Sequence, residues 1–245
     1  MNKTVLVAGK DLPYGADFAE ALAKCERQVV ITGKPDTDKA FVSHEAIAIA
    51  SWNRPSSISA RTLVLQAENA FLKVDEMILY FDASLYASQF TSLSPEECSR
   101  AQDTMVQGYQ YVAMEFLTRL DARKQNGTLV FINRTHPGMA DAVSSPSAKS
   151  TTAVFANPFV KSAEKAFQGF AENIAAFVGE KPQTNVVLVS CSSTNDANES
   201  DSALATWLVS YIDSLERAKK KPTVRQTLQW LKIGSKLQTG FQLFR

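Results

Sequence analysis

Short apolar runs alternate along the chain with longer segments in which apolar residues recur every three or four positions. The short runs are typical of buried parallel strands, and the longer segments are typical of amphipathic helices. The predicted strands are residues 4–8, 28–32, 46–50, 77–81, 129–132, 185–189 and, as a final candidate, 239–244. This alternation predicts an α/β fold: a doubly wound parallel sheet of six or seven strands, Rossmann-like, in a three-layer α/β/α arrangement.

Helical periodicity and polar composition fill the intervals between these strands. The predicted helices are the segment after Gly9 and residues 56–72, 95–120, 161–178, 203–215 and 224–231. Residues 134–154 and 190–202 are rich in polar and turn-forming residues and are predicted as loops. Because no linker or internal repeat interrupts the pattern, residues 1–245 are expected to form a single domain.

Composition and charge exclude several function classes. Lys and Arg total 26 and Asp and Glu total 25, so the net charge of +1 gives no electrostatic reason to expect a nucleic-acid partner. No apolar run approaches the ~18 residues that a membrane helix needs. Cys25, Cys98 and Cys191 are odd in number and far apart, which favours neither a disulfide framework nor a metal site. With no signal-peptide pattern after Met1, a cytoplasmic location is expected.

The turn after the first strand is the most informative stretch of the chain. In a dinucleotide-binding chain, a glycine-rich turn at this place lets backbone amides hold the pyrophosphate. Here Gly9 and Gly15 flank Pro13, which has no amide hydrogen and adds a ring. The substitution predicts that dinucleotide binding is weakened or rearranged, and the alternative is a tight turn that binds no ligand.

A second partial motif lies on the helix that follows the fifth strand. The order of the elements and the stretch Lys161-Ser-Ala-Glu-Lys165-Ala-Phe-Gln-Gly-Phe170 resemble the short-chain dehydrogenase/reductase family, over roughly residues 3–215. The resemblance implies a Rossmann-type fold, NAD(H) or NADP(H) as cofactor, and an Asn-Ser-Tyr-Lys catalytic set. Lys165 matches the family's lysine, but Lys161 replaces the tyrosine that donates the proton. Two ammonium groups one turn apart repel, so one amine could act as a base or nucleophile; the alternative is a solvent-facing pair.

The other catalytic positions implied by the resemblance are altered too. Met105 stands in place of the asparagine and fits the apolar stripe of its helix. Asn133 could donate a hydrogen bond near the place of the serine, and Arg134 could bind a carboxylate or phosphate. Cys191 is expected on a loop at the carboxyl edge of the sheet, with His136 as the one partner considered for a thiolate.

Two further positions bear on the cofactor. Lys34 follows the second strand, where it could face a 2′-phosphate and favour NADP(H); a solvated surface lysine is the alternative. Asp82, with Tyr80 and Phe81, replaces the small polar turn that the resemblance implies behind the cofactor.

Only Gly9, Gly15 and Lys165 keep the residue types that the resemblance implies. The leading expectation is a non-catalytic relative, a dinucleotide-binding or interaction protein that binds NADP or NAD weakly or not at all. The alternatives are an active oxidoreductase with substitute residues and a structural protein without a nucleotide.

The resemblance also implies that helices 95–120 and 161–178 pack against their copies, so a homodimer or homotetramer is expected. A small-molecule ligand is the other partner considered, and neither nucleic acid nor a membrane is expected.

Overall fold

Among the described residues, seven parallel strands form one sheet in the order β3-β2-β1-β4-β5-β6-β7. The computed structural model describes residues 2–144, 155–179, 181, 183–192, 200–218 and 222–237. The strands are β1 (Thr4–Ala8), β2 (Gln28–Thr32), β3 (Ile47–Ala50), β4 (Glu76–Asp82), β5 (Gly127–Arg134), β6 (Thr184–Cys191) and β7 (Trp230–Leu231). The strand order reverses between β1 and β4, and ligands of such sheets bind at the carboxyl ends of the strands beside this switch point.

Helices cover both faces of the sheet and make the three predicted layers. They are α1 (Ala16–Lys24), α2 (Pro35–Asp38), α3 (Ser57–Phe71), α4 (Ala83–Gln89), α5 (Pro95–Gln102), α6 (Gly108–Arg123), α7 (Met139–Ser144), α8 (Pro158–Val178), α9 (Asp201–Arg217) and α10 (Val224–Thr227). One apolar core lies between the sheet and α3, α6 and α8, and the other lies between the sheet and α1 and α9. The predicted doubly wound α/β fold is therefore confirmed.

The central strands are apolar along their whole length because both of their faces are covered. In β5, Leu129 and Phe131 enter the first core, whereas Val130 and Ile132 enter the second. This arrangement explains why continuous apolar runs, rather than alternating ones, identified the strands.

The C-terminal part of the fold differs from the prediction. The helix expected at 224–231 ends at Thr227, and Trp230–Leu231 instead pairs with Leu188 and Val189 as the edge strand β7. Local periodicity was overridden here because β6 offers an edge of backbone groups that need partners. The strand predicted at 239–244 lies outside the described residues.

Three other segments hold structure that the pattern missed. β4 continues to Asp82, whose carboxylate accepts hydrogen bonds from the amides of Ser84 and Leu85 and so caps α4. The segment predicted as a loop at 134–154 contains α7, and its residues 145–154 lie outside the described part. The helix predicted at 95–120 is α5 and α6 joined by a π-helical turn, Asp103–Gln107.

Within the described residues, none of the helices combines the length and hydrophobicity that crossing a bilayer requires.

Candidate ligand crevice

Gly9 occupies a position between β1 and β4 that only glycine can fill. Its φ of +103° lies in the region that side chains disfavour. A Cβ atom there would lie 2.3 Å from the carbonyl oxygen of Tyr80 and 2.4 Å from the hydroxyl of Tyr109. The glycine therefore serves close packing inside the protein, where a nucleotide-binding turn uses glycine to admit a ligand.

Three amides of the turn after β1 bond to the chain's own carbonyl groups. The Leu12 amide donates to Thr32 O at 2.9 Å, and the Gly15 amide donates to Asp11 O at 3.1 Å. The Ala16 amide, the first of α1, donates to the carbonyl of Pro13 at 3.1 Å. Since Pro13 has no amide hydrogen, four backbone positions that could face an anion offer it no donor.

Lys10 is buried and forms two ion pairs across the carboxyl edge of the sheet. Its Nζ lies 2.7 Å from Asp82 Oδ2 and 2.9 Å from Asp201 Oδ2. The same atom lies 4.8 Å from the centroid of the Tyr80 ring. Asp82 is the last residue of β4 and Asp201 is the first residue of α9. The ion pairs of Lys10 therefore connect the turn after β1 to the end of β4 and to the start of α9.

Arg134 completes this cluster from the end of β5. Its Nη2 lies 2.9 Å from Asp201 Oδ1, and its Nε donates to the Tyr80 hydroxyl at 2.8 Å. That hydroxyl donates in turn to Asp201 Oδ1 at 2.8 Å. Burial by itself lowers the pKa of Arg134, but Tyr80 and Asp201 raise it above its ordinary value, so the guanidinium stays charged.

The pKa of Asp82 is set by opposing effects. Burial alone raises it, but the Lys10 ammonium and the amide of Leu85 lower it below the usual value. Burial, reinforced by the Asp201 carboxylate, raises the pKa of Tyr80 well above that of an ordinary tyrosine. Arg134 and Asp82 are therefore charged, and the Tyr80 hydroxyl keeps its proton.

A further ion pair, between Arg54 and Asp11, fills the other side of the turn. Arg54, from the segment between β3 and α3, donates from Nη2 to Asp11 Oδ2 at 2.7 Å and to the Gly9 carbonyl at 3.4 Å. Its Nη1 donates to the Tyr86 hydroxyl, which lies 2.6 Å from the hydroxyl of Tyr109. Side chains of this protein thus occupy the space next to Gly9 on both sides.

The neighbouring part of the crevice, at the ends of β2 and β3, is open. A cavity of about 510 Å³ lies there, with Lys34 exposed on its rim. It is lined by Gly33, Lys34, Ser51, Trp52, Asn53, Ser56, Ile58, Ser59, Thr62 and Gln66. The space beside Lys34 could accept a ligand group, whereas in the turn after β1 the amides of Leu12, Gly15 and Ala16 are already bonded within the chain.

Asn133 lies near the end of β5 and is completely buried. Neither its amide nitrogen nor its amide oxygen has a hydrogen-bond partner among the described residues. A buried amide without partners is costly, so this residue is an anomaly of the fold. Its correspondence to the implied serine and its role as a hydrogen-bond donor to a substrate both stay predictions.

The two lysines of the α8 motif lie in different surroundings. Lys161 Nζ is 2.7 Å from Glu164 Oε2 and donates to the carbonyl of His136 at 3.0 Å, which brings it to the loop after β5. Lys165 is exposed, and its Nζ donates to Gln168 Oε1 at 3.0 Å. Each amine therefore has its own acceptor, and the role of base or nucleophile considered for this pair stays a prediction.

The remaining sequence candidates are placed as follows. Cys191 is the last residue of β6 and is buried, so the expectation of a loop cysteine was wrong; the carboxyl end of the parallel strand continues through it. Met105 is fully buried in the first core, as its apolar stripe predicted. Arg134 does bind a carboxylate, but that carboxylate belongs to Asp201.

Sequence reasoning missed four residues of the crevice. Lys10 and Asp11 were visible in the sequence as two charged residues directly after Gly9. Arg54 and Asp201 carried no signal, because each meets its partner only after the sheet has formed.

Comparison with known proteins agrees with the fold. No protein-family model matches the chain, and no curated protein matches its sequence. Among solved structures, a short chain dehydrogenase from Mycobacterium smegmatis superimposes with a TM-score of 0.64 at 12% identity, covering 97% of this chain and 93% of that chain. The protein has the short-chain dehydrogenase/reductase fold.

Two further structures with this fold hold a nicotinamide cofactor. A metagenomic short-chain oxidoreductase in complex with NADP has a TM-score of 0.64 at 13% identity, covering 94% of this chain and 96% of that chain. A 3-ketoacyl-(acyl-carrier-protein) reductase from Brucella melitensis, complexed with NADH, has a TM-score of 0.54 at 16% identity, covering 77% and 74%. At such identities the likeness concerns the fold, and function depends on the site.

Proposed function

We propose that this protein is a non-catalytic variant of the short-chain dehydrogenase/reductase fold that acts by binding, without hydride transfer. The observation that carries the proposal is the buried Lys10, whose ion pairs with Asp82 and Asp201 span the crevice beside Gly9. A pyrophosphate at this turn would have to displace these internal pairs and would find the amides of Leu12, Gly15 and Ala16 already bonded. NADP or NAD is therefore expected to bind weakly or not at all.

The proton-transfer side of the crevice supports the same proposal. Carbonyl reduction needs a proton donor aligned with the substrate oxygen. Lys161 is engaged by Glu164 and His136 O, and Lys165 is exposed. In the resembled family a tyrosine and a lysine share this work, and at the matching positions this chain keeps only the lysine, Lys165.

The proposal also includes self-association and a cytoplasmic location. Met114 on α6 and Phe177 on α8 are exposed apolar residues on the two helices expected to meet their copies. A homodimer or homotetramer is the expected state, and light scattering at micromolar concentration tests it. Cys25, Cys98 and Cys191 are thiols, which fits a reducing compartment.

We expect no appreciable carbonyl reduction or alcohol oxidation with either nicotinamide cofactor. Loss of general-acid help alone costs on the order of 10²–10⁴-fold in rate, and the loss of contacts that orient the carbonyl adds to this. The measurement is a broad substrate panel followed by nicotinamide absorbance, with Lys161→Tyr and Lys165→Ala assayed in parallel.

The competing function is an oxidoreductase that uses substitute residues. It would be established by robust turnover of the unmodified protein that Lys165→Ala abolishes. If NADP(H) were then preferred over NAD(H), Lys34→Glu should remove the preference, since Lys34 lies on the rim of the open cavity.

A further inference from the structure

Three hydrogen-bond donors converge on the carboxylate of Asp201. Lys10 Nζ lies 2.9 Å from its Oδ2, whereas Arg134 Nη2, at 2.9 Å, and the Tyr80 hydroxyl, at 2.8 Å, both meet its Oδ1. Two of the three donors are cationic, and such charge-assisted bonds are the strong ones. The three donors together are called the cradle here.

The cradle is held in place without Asp201. Lys10 is fixed by Asp82 at 2.7 Å, and Arg134 is fixed by its bond to the Tyr80 hydroxyl at 2.8 Å. Without the carboxylate of Asp201, the buried Lys10 and the partly buried Arg134 would each lose a bonded carboxylate, which favours an anion in its place.

We propose that the cradle is a binding site for the carboxylate group of a small ligand and that Asp201 is an internal stand-in for that carboxylate. The inference rests on the proposed function, in which the crevice serves binding. The Asp201 side chain is 16% exposed, so the site lies within reach of solvent. A ligand takes the place of Asp201 by offering its own carboxylate to the same three donors.

The geometry favours a carboxylate over a phosphate. The two oxygen atoms of the Asp201 carboxylate receive all three donors, so another carboxylate offers the same two acceptors. The Asp82 carboxylate, 2.7 Å from Lys10 Nζ, would also repel a doubly charged group. A singly charged, planar group fits both constraints.

Chemical rescue of Asp201→Ala tests the proposal. Asp201 is tethered and competes at a high effective concentration, so its removal should strengthen acetate binding at least about tenfold. Acetate should therefore raise the melting temperature of Asp201→Ala at concentrations that leave the unmodified protein unchanged. Acetamide, the uncharged isostere, and sodium chloride at equal ionic strength should have no such effect.

Two variants separate the cradle from a general charge effect. Asp36→Ala removes an exposed carboxylate of α2 and should gain no acetate binding. Adding Arg134→Gln to Asp201→Ala should abolish the gain, because one of the three donors is lost. If Asp201→Ala fails to fold, refolding in acetate compared with acetamide is measured, and Asp201→Asn repeats the titration.

Each outcome decides the question. Equal responses of Asp201→Ala and the unmodified protein, or a gain that survives Arg134→Gln, would overturn the site. Tighter binding of inorganic phosphate than of acetate would overturn the carboxylate assignment. Turnover with a nicotinamide cofactor would overturn the proposed function, while the acetate titration would still report on the cradle separately.

Discussion

Lys10→Met is expected to lower the free energy of unfolding by about 3–5 kcal/mol, the usual cost of removing one partner of a buried ion pair. Methionine keeps most of the volume and the apolar stem of lysine, so the loss reports on the charge. Without the ammonium, the Asp82 and Asp201 carboxylates, 5% and 16% exposed, would lie close together without their shared counter-ion. Urea-induced unfolding followed by circular dichroism measures the effect.

The matched control for this substitution is Lys34→Met. Lys34 is exposed beside the open cavity, so its replacement should change stability by no more than about 0.5 kcal/mol. A similar small change for Lys10→Met would mean that Lys10 is not a structural counter-ion and would weaken the account of a closed crevice.

Alkaline pH is expected to destabilise the protein steeply, because Tyr80, Tyr86 and Tyr109 are buried. Burial raises the pKa of each above the ordinary value of 10.0. Above a pH of about 10, these tyrosines ionise in the unfolded chain but keep their protons in the folded protein. The folded state then binds more protons, so stability is fully present below this pH and is lost as the pH rises, at about 1.4 kcal/mol per tyrosine and pH unit.

The combined slope for three tyrosines is about 4 kcal/mol per pH unit. Denaturant unfolding at a series of alkaline pH values measures it. Tyr109→Phe should reduce the slope by about a third, whereas Tyr14→Phe should not, because Tyr14 is 61% exposed. Ultraviolet absorbance that showed all six tyrosines ionising near pH 10 in the folded protein would contradict the prediction.

The fold could be predicted from sequence because burial on both faces leaves a strong local signature. The strands β1, β2, β4 and β5 appear as apolar runs. The helix predicted to begin at residue 95 is confirmed by α5, which begins at Pro95. β7 could not be predicted in this way. It is only two residues long, and its formation depends on the edge that β6 presents.

The candidate site was predictable only in part. The turn between Gly9 and Gly15 is located by its glycines, and Pro13 marks it as altered. The pairing of Lys10 with Asp201, which decides what the crevice can hold, joins residues from opposite ends of the chain without any motif. Such tertiary contacts are set by strand order and helix placement, which local patterns do not contain.

The most direct test of the closed crevice is calorimetric titration of the unmodified protein with NAD(H) and NADP(H). Internal ion pairs beside Gly9 and the engaged amides of the turn predict no saturable binding, or a dissociation constant in the millimolar range. A sub-micromolar dissociation constant for either cofactor would contradict the account.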